Sequence, residues 1–145
     1  MPIRAEVRHL YGKAWREETR PRILARAGGK CEQCKVPDRA FIFRHDRLPG
    51  WWVTYDGELW NDHGYFMGYV RGSEMGMPDR GVKIVLTIAH LNQTPGDDRD
   101  ENLKALCQYC HLAHDREVNR AQSRETRLDR KDGARPLIVL LRGEQ

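Results

Sequence analysis

Two Cys-x-x-Cys pairs, Cys31–Cys34 in KCEQC and Cys107–Cys110 in LCQYC, use all four cysteines of this 145-residue chain. Two such knuckles can set four thiolates tetrahedrally about Zn²⁺. With no cysteine left over, the pattern reads as a metal site rather than as one redox pair and one buried pair. Around the second pair stand His90, Asn102 and His111. A histidine at a strand end suits a general base near neutral pH, provided a neighbour fixes its tautomer. A metal held by one or two helix side chains keeps positions open for phosphate and water. Hydrolysis of a phosphodiester needs both, together with help for the departing 3′ oxygen.

The elements that must position these groups follow from pattern. WREETRPRILARAGGKCEQC predicts a short helix from about Pro21, with Ile23, Leu24 and Ala27 apolar, stopped by Gly28–Gly29. In GVKIVLTIAHLN, Val82, Ile84, Leu86 and Ile88 recur with a period of two, which predicts one half-buried strand ending at His90. Residues 92–101 are turn chemistry, and Leu103, Ala105 and Leu106 lead into the second pair. A helix from about Tyr109 to Arg130, closed by Asp132–Gly133, completes a ββα unit. PLIVLL near the end of the sequence is of strand length.

Residues 35–80 hold nine of the twelve aromatics: Phe41, Phe43, Trp51, Trp52, Tyr55, Trp60, Tyr65, Phe66 and Tyr69. Short strands are expected near 40–44, 51–55 and 65–70. Most of these rings are expected to form the core of the inserted sheet, because so polar a chain has few other large side chains to bury. Stacking on unpaired bases or wedging a groove is the alternative use.

NLKALCQYCH, with His90, Asn102 and the upstream ILARAGGKCEQC, resembles the zinc-bearing HNH (ββα-metal) endonucleases. The resemblance covers about thirty residues plus the first cysteine pair. It implies an α+β fold: a small zinc-stapled ββα core with an aromatic-rich β insertion and flanking helices. It implies a single domain over 1–145, with a basic helical arm at 1–30, a core at 31–34 and 81–115, an insertion at 35–80, and a basic helix and tail at 116–145. By the same resemblance His90 is the general base, Asn102 braces the ββ loop, and His111 binds a catalytic divalent metal (Mg²⁺, Mn²⁺, Ni²⁺ or Zn²⁺). Asp115, or its rival His114, is the second ligand on the helix, although an acidic residue in the first turns also suits the helix dipole. Cys31, Cys34, Cys107 and Cys110 hold the structural Zn²⁺.

The sequence departs from the family at Ala89. Most members carry an acidic residue or histidine immediately before the base, as a metal ligand. Either the metal has fewer ligands here, or Asp97, Asp98 or Asp100 moves in, or the activity is weakened.

The net charge of +4 is unevenly spread. Arg4, Arg8, Lys13, Arg16, Arg20, Arg22 and Arg26 crowd the first thirty residues. Arg116, Arg120, Arg124, Arg127 and Lys131 would form one cationic stripe on a helix, suited to a phosphate backbone or simply solvated beside Glu117, Glu125 and Asp129. The expected partner is double-stranded DNA. A charge-broken start and the lack of a bilayer-length apolar run lead to the expectation of a cytoplasmic protein without signal peptide or membrane partner. Small proteins of this appearance resemble those of phages and mobile elements. The competing functions are a non-catalytic zinc-ribbon nucleic-acid-binding module and, third, an interaction domain that recruits a protein through its aromatic sheet.

Overall fold

The computed structural model describes residues 4–71 and 81–142, with side chains throughout except at 117, 122 and 129–142. The chain divides into two compact units, Met1–His111 and Leu112–Gln145. The first mixes short helices with antiparallel sheets and is compatible with an α+β class. The described residues of the second, up to Arg142, continue a single long helix.

The first unit begins with a 3₁₀ stretch, Ala5–Tyr11, a π-helical turn, Trp15–Thr19, and helix α1, Arg20–Arg26. Trp15, Thr19 and Ile23 recur every fourth residue and are all buried. That spacing puts one stripe on one side of a helix, facing the interior. After the first cysteine pair come β1 (Phe41–Arg44), β2 (Trp52–Thr54), β3 (Glu58–Trp60), β4 (Phe66–Tyr69) and β5 (Val82–Lys83). They form one antiparallel sheet in the order β4-β3-β2-β1-β5. Strand β3 has no counterpart among the strands expected from sequence. The expected core role of the aromatics is also corrected. Trp52 is buried, whereas Phe41, Tyr55, Tyr65, Phe66 and Tyr69 are exposed. A single sheet buries one face well and leaves the other to solvent.

The expected continuous strand over 82–90 is in fact two. Val82–Lys83 pairs with β1, and Thr87–His90 (β6) pairs with Leu103–Leu106 (β7) in a separate hairpin. Between them the backbone bonds elsewhere: Ile84 N–H donates to the Ala40 carbonyl at 2.8 Å and Leu86 N–H to Asp38 Oδ1 at 3.0 Å. Ile84 and Leu86 are still buried, as the alternation predicts, but Val82 is 40 % exposed. Helix α2 runs Gln108–Arg142. It passes the expected stop at Asp132–Gly133 and absorbs PLIVLL, which is therefore not a strand. One glycine costs a helix only about 1 kcal/mol relative to alanine, too little to end it alone.

The hairpin divides the core in two. Register pairs His90 with Leu103 and Ile88 with Ala105, and it pairs Thr87 with Leu106 and Ala89 with Lys104. Leu103 and Ala105 pack with Trp15 and Ile23 on one face, and Ile88 lies against them. Ala89 and Leu106 pack on the other face with the four cysteines, Val36, Ile42, Trp52, Ile84 and Leu86. The inserted sheet is therefore not an appendage, because its inner face closes over the cysteine cluster.

Candidate functional site

Cys31, Cys34, Cys107 and Cys110 are all buried, and their sulfurs all lie within 4.8 Å of one another. Cys34 and Cys107 sulfurs are 3.7 Å apart. A tetrahedron with Zn–S bonds of about 2.3 Å has sulfur–sulfur edges of about 3.8 Å, so the spacing fits zinc. The surrounding donors also fit thiolates. Cys107 N–H donates to Cys31 Sγ at 3.3 Å, and Arg44 Nη2 donates to Cys107 Sγ at 3.2 Å. Arg44 is held there by a bond from Nη1 to the Gly50 carbonyl and by the Tyr109 ring, 4.9 Å from its guanidinium carbon. Cys31 is held well below the ordinary thiol range by hydrogen bonds, first from Cys107, and Cys107 is lowered to about 6, first by Cys110. Cys34 and Cys110 are pushed up, each first through Cys107. Four buried thiols so arranged could hold a metal such as zinc.

His90 closes β6 on the face of the hairpin that carries Leu103. Its Nε2 lies 3.0 Å from Asp98 Oδ1, and its side chain is 7 % exposed. The Trp15 indole stacks on the imidazole at 5.3 Å, and Tyr11 meets it edge-on at 6.1 Å. Burial, then the Asp98 carboxylate, raises the Tyr11 phenol above its ordinary range. Asn102 is buried where the loop returns. Its Oδ1 accepts from Asn92 N–H at 3.0 Å, while its Nδ2 donates to Asn92 Oδ1 at 2.9 Å and to the Asp97 carbonyl at 2.8 Å. Its own carbonyl accepts from Leu91 N–H. Asn102 thus ties both ends of the loop together, one residue from the carboxylate that meets His90.

His111 lies on the other face of the hairpin. Its Nδ1 is 2.7 Å from Thr87 Oγ1, and that hydroxyl donates onward to the Leu106 carbonyl. The Thr87 hydroxyl thereby fixes the orientation of the His111 ring. Ala89 shares the Thr87 face of the strand and is 1 % exposed. The three loop aspartates offered as replacement ligands are all committed: Asp97 binds Arg99 and Asn92, Asp98 meets His90, and Asp100 pairs with Arg22. Beyond the cysteines, no group of three or more His, Cys, Asp or Glu ligand atoms converges among the described residues.

The structure therefore brings the four cysteines together and brings Asn102 to the loop of His90. It sets His90 and His111 on opposite faces of one hairpin. His114 and Asp115 lie on α2 in the second unit, both half-buried. Arg116, Arg120, Arg124 and Arg127 are exposed in that unit and share one face of α2 with Asn119 and Ser123. The Lys131 side chain lies outside the described residues.

Three residues of this site escape the sequence reading in the role they play. Asp98 stands in the acidic loop, but as the partner of His90. Arg44 lies in a strand with no motif about it. Trp15 was detectable through its four-residue spacing to Thr19 and Ile23.

No protein-family model matches the chain, and neither curated proteins nor solved structures yield a match.

Proposed function

We propose that this protein is a metal-dependent DNA endonuclease in which His90 is the general base. The observation that supports this most is the carboxylate-bonded imidazole at the end of β6, beside a loop tied by Asn102. Donating Nε2–H to Asp98 fixes the ring and makes Nδ1 the atom that takes a proton from water. Asp98 stabilises the imidazolium formed. Asn102 keeps Asp98 in place through the neighbouring Asp97 carbonyl. His111 lies on the opposite face of the hairpin from His90, so a divalent ion giving Lewis-acid help to the phosphate and the leaving oxygen would have to sit at the strand end, within reach of both faces. Arg116, Arg120, Arg124 and Arg127 bind the duplex backbone. The ββα arrangement of the HNH resemblance is part of this proposal, as is the assignment of Asp115 or His114 as a further ligand.

A second reading draws on two particular observations: the near-complete cover of His90 by Tyr11 and Trp15, and the buried methyl of Ala89 where the family carries a ligand. In that reading the protein is a non-catalytic zinc-ribbon module that binds nucleic acid. A supercoiled-plasmid nicking assay with Mg²⁺, Mn²⁺ or Ni²⁺ separates the two. The nuclease reading expects His90→Ala to lower the rate by about 10²–10⁴. Equal cutting by wild type and variant, or none by either with duplex binding retained, favours the module.

A further inference from the structure

A cavity of about 510 Å³ opens between the inner face of the five-stranded sheet and the first cysteine knuckle. That volume is within the range of small-ligand sites. Register puts Ile42, Thr54, Trp52, Trp60 and Glu58 on this one face. The Trp60 indole stacks on Trp52 at 5.4 Å and 6°. Its buried Nε1–H has no hydrogen-bond partner among the described residues, which is unusual for an indole held inside a fold. Tyr55, in the turn after β2, also lines the cavity and is exposed.

The polar lining is two-sided. The knuckle contributes Lys30 and Lys35, neither of which makes an ion pair with a described carboxylate. Lys35 is held in place. It has a left-handed φ of 60°, its stem lies where any side chain at Gly64 would stand, and its ammonium donates to the Glu32 carbonyl at 3.1 Å. The β2–β3 turn contributes Asp56, and the start of β3 contributes Glu58.

Cations, aromatic rings and carboxylate acceptors converging on one slot match one nucleotide part by part. The lysines suit its phosphate, the rings suit its base, and the carboxylates accept from an exocyclic amine. We propose that this cavity takes one unstacked, amine-bearing nucleobase of a DNA strand, such as cytosine, with its flanking phosphate on Lys30 and Lys35. The inference rests on the nucleic-acid reading above but not on cleavage. In it the inserted sheet holds a single-stranded or extruded base.

Binding of fluorescein-labelled (dC)₈ and (dT)₈ to the full chain, without added divalent ion, tests it. Thymine has similar stacking but no exocyclic amine. The expected result is quenching of tryptophan fluorescence by (dC)₈ and binding several-fold tighter than (dT)₈. Tyr55→Ala should weaken (dC)₈ about tenfold through lost stacking, and K30E/K35E should weaken it at least as much. Glu58→Gln should erase the preference over (dT)₈. These positions are exposed or half-buried, and unchanged zinc content and melting temperature show that the variants fold. Equal binding by wild type and all variants overturns the slot, even if plasmid nicking is intact. So does quenching by a proline-rich peptide with none by either oligomer. If His90→Ala leaves nicking unchanged while the slot variants lose (dC)₈, the nuclease reading fails and this inference stands.

Discussion

Arg44 donates from Nη2 to the Cys107 sulfur at 3.2 Å, placing a permanent cation against a cluster that would carry two net negative charges once four thiolates held Zn²⁺. Outer partners of this kind commonly change metal affinity by 10–100-fold. Arg44→Gln should therefore lower zinc affinity by about that factor, measured by competition with a chromophoric chelator, while Arg47→Gln, an exposed neighbour, should not. Removing the ion altogether should abolish the cooperative thermal transition, because the cysteines join the sheet, the hairpin and the start of α2. A melting curve unchanged after exhaustive chelation would contradict that role.

Asn102 makes three side-chain hydrogen bonds in a buried position. Asn102→Ala should cost about 1–3 kcal/mol, since it leaves Asn92 and the Asp97 carbonyl short of partners. Calorimetry gives the size of the loss. Amide exchange should show it concentrated at residues 91–98 if the latch is local.

Asp97 has its carboxyl lowered to about 2, first by the hydrogen bonds from Arg99 and then by that from Asn92. The folded value lies below the unfolded one. Its contribution is therefore complete above about pH 4 and is lost as pH falls toward 2. Arg99→Ala should move the carboxyl titration, followed by NMR, back toward the ordinary aspartate range. No movement would mean that Asn92 alone holds the charge.

The arginines of α2 are exposed and evenly spaced. Each phosphate they neutralise should contribute about 0.9 to the slope of log affinity against log salt on duplex DNA. R120A/R124A should reduce that slope by about 2 and weaken binding equally on unrelated sequences. A slope identical to wild type would leave the stripe merely solvated.

The parts of the fold written in short-range chemistry were legible in the sequence. The cysteine pairs, the turn-rich loop, the burial of Ile84 and Leu86, and a helix beginning near Tyr109 each depend on neighbours a few residues away. The break between β5 and β6 was not legible, because Ala40 and Asp38, over forty residues distant, capture the backbone that would have continued the strand. Strand β3 is three residues long and has no alternation to detect. The faces of His90 and His111 depended on register and on Thr87, which carries no motif. Asp98 looked like a spare metal ligand because a sequence shows charge without showing direction.

The bond from Cys107 N–H to Cys31 Sγ spans 76 positions, and that interval has a consequence for biosynthesis. On the ribosome the first knuckle emerges long before its counterpart. Until residue 110 is out, Ile42 and Trp52 have no Leu106 or Cys107 to pack against. The nascent sheet must wait, with apolar surface showing, until the second knuckle has emerged.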